Sequence, residues 1–191
     1  TSHSGTYRPF HPDSDGLILG EVYAAAVLSR EQKEHSTCRL LGGYSACDTT
    51  SVTGTSEDGS HIALVIKKAL KQANCSAQDI ELIKLHGTAT AANDRAESNG
   101  TLSFLQQANT AKLCALKPWL GHGLGACGLS ETLLLTACLK QGLLPTPRHS
   151  YHAGSLKLEQ EPQWTASEGL ILANFFGFGG NNASLVLQTT V

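Results

Sequence analysis

Short apolar runs alternate with helix-spaced segments through the middle of the chain, and this alternation limits the folds open to it. The run "CRLLGGYSAC" (38–47) predicts a strand. The segment "HIALVIKKALKQAN" (61–74) predicts a helix, because its apolar residues recur every three or four positions. The pattern continues as strand, helix, strand and helix in "DIELIKLHG" (79–87), "DRAESNGTLSFLQQ" (94–107), "AKLCALK" (111–117) and "GLSETLLLTACLKQG" (128–142). Such alternation favours an α/β domain, with a mostly parallel or mixed sheet covered by helices.

The two ends of the chain add apolar runs without helical spacing. We interpret "LILGEVYAAAVL" (17–28) as a buried strand that bends at Gly20. Near the other end, "EGLILANFFGFGG" and "NNASLVLQ" predict two strands of a hairpin joined by a glycine-rich turn. The irregular segment 148–168 is predicted to be a surface connection.

Composition excludes several classes of function. The chain has 191 residues with a formal net charge of -2 and no long basic run, so no nucleic-acid surface is expected. No apolar run approaches the roughly 18 residues of a membrane span. The six cysteines form no C-x-x-C pair, which favours buried thiols in the cytoplasm over a metal site or a disulfide scaffold. Because methionine is absent even from position 1, we expect a processed chain or a fragment.

Two histidines follow predicted strands. His86 ends the run "IELIKL", and His122 follows "AKLCALKPWL" and precedes a Gly/Ala-rich helix start. Sites in open α/β sheets collect at the carboxyl ends of strands. Taken singly, either histidine could be a hydrogen-bonded structural residue, and "GFGGNN" predicts only a tight turn. The stretch "GLGACG" lacks the spacing of a phosphate-binding loop and favours close helix packing instead.

Four motifs occur in one order: "RPFHPDSDGLILGE", "HGTATAANDRAE", "KPWLGHGLGACGLSE" and "NFFGFGGNNASLVL". From Arg8 to the end, this order resembles the C-terminal half of a β-ketoacyl-acyl carrier protein synthase, an elongating condensing enzyme with a thiolase-like fold. The resemblance implies that residues 1–191 form the C-terminal domain, and that the N-terminal half with the nucleophilic cysteine lies outside the chain. Cys47 in "YSACDTT" is not expected to be that nucleophile.

The resemblance also implies roles for individual residues. His86 and His122 match the two histidines of a Cys-His-His site, with Lys117 and Glu131 as a supporting lysine and buried acid. Thr88 and Thr90 match two hydroxyls that contact a phosphopantetheine arm, and Phe176 and Phe178 match an aromatic gate between substrate sites. Asp94 and Glu97 match two acids that close the first motif. The turn glycines of the last motif are Gly177, Gly179 and Gly180.

The implied activity is decarboxylative Claisen condensation of malonyl-acyl carrier protein with an acyl thioester, in fatty acid or polyketide-type synthesis. Two neutral imidazoles would form an oxyanion hole for the enolate. The chain alone is expected to be inactive and to bind no metal or free cofactor, because the phosphopantetheine arrives on the carrier protein. Expected partners are the carrier protein, the N-terminal half and a second synthase-like subunit in a homodimer or heterodimer. Two alternatives are a non-catalytic partner resembling a chain-length factor and, more distantly, a degradative thiolase that uses coenzyme A.

Physical chemistry gives these roles a testable form. His122 precedes a helix N-terminus, whose positive end disfavours the imidazolium. A buried Lys117 needs a counter-charge, which Glu131 could supply, although an exposed Lys117 with a solvated Glu131 is the alternative. The chain departs from the family pattern at two informative positions. Asn93 stands where glycine is usual and is expected to tolerate a left-handed backbone, and Gly123 replaces a hydroxyl residue. Trp119, Leu120 and Asn181 depart as well.

Overall fold

A five-stranded mixed sheet forms the centre of the protein. The computed structural model describes residues 1–31, 33–34, 36–52, 54–106, 110–147, 156–165 and 169–189. The strands are β1 (Cys38–Cys47), β2 (Ile80–Lys84), β3 (Lys112–Cys114), β4 (Leu170–Phe176) and β5 (Asn181–Thr189), in the spatial order β1-β5-β4-β2-β3. Strand β2 runs parallel to both β3 and β4, while β5 pairs antiparallel with β4 and with β1. The mixed α/β sheet predicted from the alternation is therefore confirmed.

Helices cover both faces of the sheet. The α-helices of the described residues are α1 (Ser60–Ala73), α2 (Ala91–Leu105), α3 (Lys117–Leu120) and α4 (Cys127–Lys140). On one face, Ile62 and Ile66 of α1 pack with Ile83 and Leu85 in an apolar cluster. On the other face, Leu135 of α4 packs in a second apolar cluster, to which other residues of β2 and β4 contribute. Successive residues of β2 therefore point to opposite layers, and this alternation decides which layer each polar side chain at its end enters.

The predicted strand at 17–28 is wrong. Only a single bridge forms there, between Leu19 and His122, with bonds from the His122 N–H to the Ile18 carbonyl and from the Gly20 N–H to the His122 carbonyl. A strand needs a neighbour for its backbone groups, and past Gly20 none of the described segments supplies one. Tyr23 is 99% exposed. Gly20 does mark a close approach, because a Cβ there would lie 2.1 Å from the Leu120 carbonyl oxygen.

The other elements lie close to their predicted positions. Helix α2 begins at Ala91 and so includes Asn93, which was expected in a turn. Lys117 starts the short helix α3 and is not a strand residue. The β4–β5 hairpin is confirmed. Most of the predicted connection at 148–168 lies outside the described residues. No helix among the described residues is long and apolar enough to cross a membrane.

Candidate active site

Three adjacent strand ends bring the candidate side chains together. Strand β2 has β3 on one side and β4 on the other, all parallel, so their carboxyl ends lie at one edge of the sheet. His86 follows β2, His122 follows β3 and the short α3, and Phe176 ends β4. The ring centroids of His86 and His122 are 5.6 Å apart and nearly perpendicular. The Phe176 ring lies 5.7 Å from that of His86.

Lys117 is fully buried, and its ammonium group has three hydrogen-bond partners. Its Nζ lies 2.7 Å from Glu131 Oε1, 2.7 Å from the His86 carbonyl oxygen and 3.2 Å from His86 Nδ1. The exposed alternative for this pair is thereby excluded. Burial would raise the pKa of Glu131, but the charges of Lys84 and Lys117 outweigh it and hold that pKa below its usual range.

Both histidines accept a hydrogen bond at Nδ1. Lys117 donates to Nδ1 of His86, and the Leu124 N–H donates to Nδ1 of His122 at 3.0 Å. Each neutral ring therefore carries its hydrogen on Nε2. Burial, followed by the charges of Lys117 and Lys84, lowers the pKa of His86 well below its usual value. Burial and then Lys117 lower the pKa of His122 to about 4. Both rings are neutral near pH 7.

The backbone after His86 is held by two buried carboxylates. Glu97 accepts bonds from the His86 and Gly87 N–H groups at 2.6 and 2.8 Å. Asp94 accepts from the Ala89 N–H at 3.1 Å and from the Phe10 N–H at 2.6 Å, which ties the "RPF" segment to the histidine loop. Burial raises the pKa of Glu97 to about 7 and that of Asp94 to about 6, although these hydrogen bonds act to lower both pKa values.

Two departures from the family pattern have structural explanations. Asn93 is a residue of helix α2, so no left-handed turn is required there; its amide lies 3.4 Å from both Asp94 Oδ1 and Glu97 Oε2. Gly123 lies against Val22, and a Cβ at position 123 would fall 2.2 Å from Val22 Cγ2. The side chain of Val22 therefore occupies the space that a hydroxyl residue at position 123 would need.

The threonines follow His86 in the loop after β2, and the glycine-rich turn follows Phe176 at the end of β4. The hydroxyls of Thr88 and Thr90 are 2.8 Å apart, so one hydrogen is shared between them and the other is left for a further acceptor. Phe178 is 78% exposed, unlike Phe176. Gly180 has φ +73°, and a Cβ there would lie 2.0 Å from the Asp48 carbonyl oxygen.

The two other turn glycines differ. Gly179 has φ +76°, whereas Gly177 is extended at φ -141° and is not required by its backbone conformation.

Sequence reasoning missed Lys84. This residue is 0% exposed and contacts the second oxygen of Glu131. The signal was a lysine inside the apolar run "IELIKL", because a lysine in a central strand is rarely buried without a partner. Cys47, which was not expected to be the nucleophile, ends β1 beside the turn, with its thiol 3.4 Å from the Gly179 carbonyl oxygen. Within the described ranges, no group of three or more His, Cys, Asp or Glu residues could hold a metal ion.

Comparison with known sequences gives a consistent match. The family model described as "Beta-ketoacyl synthase, C-terminal domain" matches residues 37–150, more than half of the chain. The 3-oxoacyl-(acyl-carrier-protein) synthase 2 of Rhizobium meliloti (strain 1021) is 31% identical over 192 residues, which cover 95% of this chain and 45% of that protein. The chain thus spans less than half the length of the curated relatives it matches.

Solved structures show the same architecture. A chain of the ketosynthase in complex with its chain length factor from Xenorhabdus doucetiae matches with TM-score 0.79 and 27% identity, covering 99% of this chain and 48% of that one. A chain from a type II PKS acyl-carrier protein in complex with its ketosynthase matches with TM-score 0.72 and 25% identity, covering 82% and 40%. The protein described here belongs to the β-ketoacyl synthase family, and it carries the C-terminal half of that family's thiolase-like fold.

Proposed function

We propose that this chain is the part of a β-ketoacyl-acyl carrier protein synthase that supplies two oxyanion-hole histidines for decarboxylative Claisen condensation. The substrates would be malonyl-acyl carrier protein and an acyl thioester, in fatty acid or polyketide-type synthesis. One observation carries the proposal: His86 and His122 each accept a hydrogen bond at Nδ1, with ring centroids 5.6 Å apart. Two neutral Nε2–H donors are therefore available within one small space.

The chemistry needs such a pair of donors. The bond between C2 of the malonyl group and its carboxylate carbon breaks, and carbon dioxide leaves. The electron pair passes into an enolate whose negative charge lies on the thioester oxygen. Donors fixed before the reaction stabilise that charge without reorganising. The enolate carbon then attacks the acyl thioester on the nucleophilic cysteine, and the cysteine thiolate leaves.

The substrate would reach the histidines on a phosphopantetheine arm. Thr88 and Thr90 suit this arm, because their hydroxyl pair has a free hydrogen for an amide carbonyl. Phe176 lies beside His86, and Phe178 is exposed in the next turn, which suits an aromatic gate with one buried and one outer member. No cofactor of the chain's own is needed in this scheme.

The proposed partners are the carrier protein, the cysteine-bearing half and a second synthase-like subunit. Exposed apolar side chains at Tyr23, Val27 and Leu28 support a covering partner in the complete protein. We assign residues 1–191 to one domain and expect the cysteine to come from outside them. The six unpaired thiols support a reducing compartment, which we take to be the cytoplasm.

Substitution of the histidines in the complete protein tests this function. His86→Ala and His122→Ala should each lower the rate of carbon dioxide release from malonyl-carrier protein by about 10²–10³-fold, the effect of removing an oxyanion donor. His3→Ala is the matched control, since His3 is exposed and its contact to Asp15 is made by its backbone N–H. Unchanged decarboxylation in both site variants would refute the assignment.

The chain-length-factor alternative remains testable in the same protein. Both histidines and Lys117 are present, Lys117 is hydrogen-bonded to His86, and the two rings are in edge contact, which favours a catalytic subunit. A complete protein that lacks a nucleophilic cysteine upstream of this domain would instead support the non-catalytic partner.

A further inference from the structure

Lys84 is a buried cation for which the proposed function has given no role. It is the last residue of β2, two positions before His86, and it is completely removed from solvent. It points to the same face of the sheet as Leu82, toward the apolar cluster that contains Leu135 of helix α4. A lysine in such a place costs stability unless something compensates its charge.

The partners of Lys84 provide only part of that compensation. Its Nζ forms an ion pair with Glu131 Oε2, donates to the Asn174 carbonyl oxygen at 3.1 Å and lies 4.0 Å from the centre of the Phe175 ring. Glu131 Oε1 is bound by Lys117. One carboxylate therefore serves two ammonium groups, one on each oxygen.

The other buried carboxylates of this region are used elsewhere. Asp94 and Glu97 accept hydrogen bonds from backbone N–H groups of the histidine loop and of Phe10. Within the part of the chain that the structure describes, neither is hydrogen-bonded to Lys84 or Lys117. The group formed by Lys84, Glu131 and Lys117, which we call the lysine–glutamate cluster, thus has two cations for one anion.

We propose that Lys84 is a positioning residue of the condensation site, acting on His86 through Glu131 and Lys117. Because Lys84 holds one oxygen of Glu131, the charge of Lys117 is only partly neutralised. Lys117 then polarises the His86 ring through its hydrogen bond to Nδ1, and the Nε2–H becomes a stronger donor to the enolate oxygen. This inference rests on the proposed function, since it concerns the same two histidines.

The electrostatics of the cluster agree with this direction of action. Burial, and next the charge of Lys84, hold the pKa of Lys117 below its usual value, while Glu131 opposes them. The same two lysines, after burial, lower the pKa of His86. The second ammonium also has a cost, because it is a buried cation whose carboxylate partner is already bound by Lys117.

A charge-removing substitution in the complete synthase tests the proposal. Lys84→Met keeps the length of the side chain and should lower kcat for malonyl decarboxylation about 10-fold with little change in KM. This loss is smaller than the roughly 10²–10³-fold loss of a direct oxyanion donor, because the effect passes through two other side chains. The free energy of unfolding should stay the same or rise, whereas a purely structural role predicts that it falls.

Two further variants make the result specific. Lys84→Gln keeps an N–H donor for Glu131 without the charge and should show the same loss of kcat, even if the methionine variant folds poorly. Lys112→Met is the matched control, because Lys112 lies at the start of the neighbouring strand β3 and pairs with the partly exposed Glu159. In a Lys117→Met background, Lys84→Met should cause no additional loss, since its path to His86 is already broken.

The outcomes separate this inference from the proposed function. If His86→Ala abolishes decarboxylation but both Lys84 variants keep the wild-type kcat, only the role of Lys84 is overturned. If the wild-type protein does not decarboxylate, NMR spectra of ¹⁵N-labelled histidine still test the inference. The chemical shift of His86 Nδ1 should differ between the wild type and Lys84→Met, in the direction of a less polarised ring nitrogen in the variant. Identical spectra for the wild type and this variant would overturn the inference.

Discussion

Replacement of Glu131 by glutamine removes the shared counter-charge of two buried lysines while keeping the shape of the side chain. Lys117 Nζ lies 2.7 Å from Glu131 Oε1, and Lys84 contacts the other oxygen. At 2.7 Å, unit charges attract by about 6 kcal/mol at an effective dielectric constant of 20, before any desolvation cost is counted. Breaking a buried pair by removing one partner costs about 3–5 kcal/mol. Because Glu131 serves both lysines, we expect Glu131→Gln to cost the upper part of that range.

The loss should depend on pH in a defined direction. Glu131 opposes the lowering of the Lys117 pKa, so without it the folded protein binds the Lys117 proton less tightly than the unfolded chain, whose lysines titrate at about 10.4. When a group has a lower pKa in the folded protein than in the unfolded chain, the protein becomes less stable as pH falls below the unfolded pKa. Glu131→Gln should therefore be closest to the wild type near pH 10 and most destabilised at pH 7.

Urea unfolding followed by tryptophan fluorescence measures both effects, because the chain has two tryptophans, Trp119 and Trp164. Glu159→Gln is the matched control: its carboxylate pairs with Lys112 at 3.4 Å in a partly exposed position and should cost less than about 1 kcal/mol. If the two substitutions cost the same, or if the loss at position 131 does not change between pH 7 and 10, the proposed electrostatics of the lysine–glutamate cluster are wrong.

Two further predictions concern the loop of His122. Gly123→Ala should destabilise the protein by about 1–3 kcal/mol, as overpacking does, because its Cβ would lie 2.2 Å from Val22 Cγ2. In thermal unfolding, adding Val22→Ala to Gly123→Ala should restore the lost stability. Gly125→Ala should have little effect, because nothing lies within 4 Å of a Cβ at that position. Equal losses at both glycines would contradict this explanation. His122 should titrate by NMR at about pH 4. Because the unfolded chain protonates this histidine already at about pH 6.5, the free energy of unfolding should fall as pH drops from about 6.5 through 4. A measured pKa near 6.5 would mean that the ring is neither desolvated nor affected by Lys117.

Elements with a strong periodic pattern were predictable from local sequence. Helix α1 was predicted at 61–74 and is observed at Ser60–Ala73, because its apolar face must pack on the sheet wherever that sheet lies. The segment 17–28 failed for the opposite reason. Its apolar composition is compatible with a strand, but a strand requires a partner, and the described segments offer only His122 opposite Leu19.

Lys84 shows a second limit of local reasoning. Its position inside an apolar run indicated burial, but nothing in the run identified its partner. Glu131 lies 47 positions further along the chain on helix α4, and the two meet because β2 sends alternate residues to the face that α4 covers. The sharing of one carboxylate between two lysines depends on that long-range placement.

The sequence by itself determined the α/β class, the family resemblance and the identity of the candidate residues, because motifs and periodicity are local properties. Only the tertiary structure decided that β3, β2 and β4 lie side by side, so that His122, His86 and Phe176 meet at one edge of the sheet. It also decided which hydrogen bonds reach the Nδ1 atoms and how many charges surround Glu131. The physical reason is that protonation state and tautomer depend on burial and on neighbouring charges, which residues distant in the chain provide only after folding.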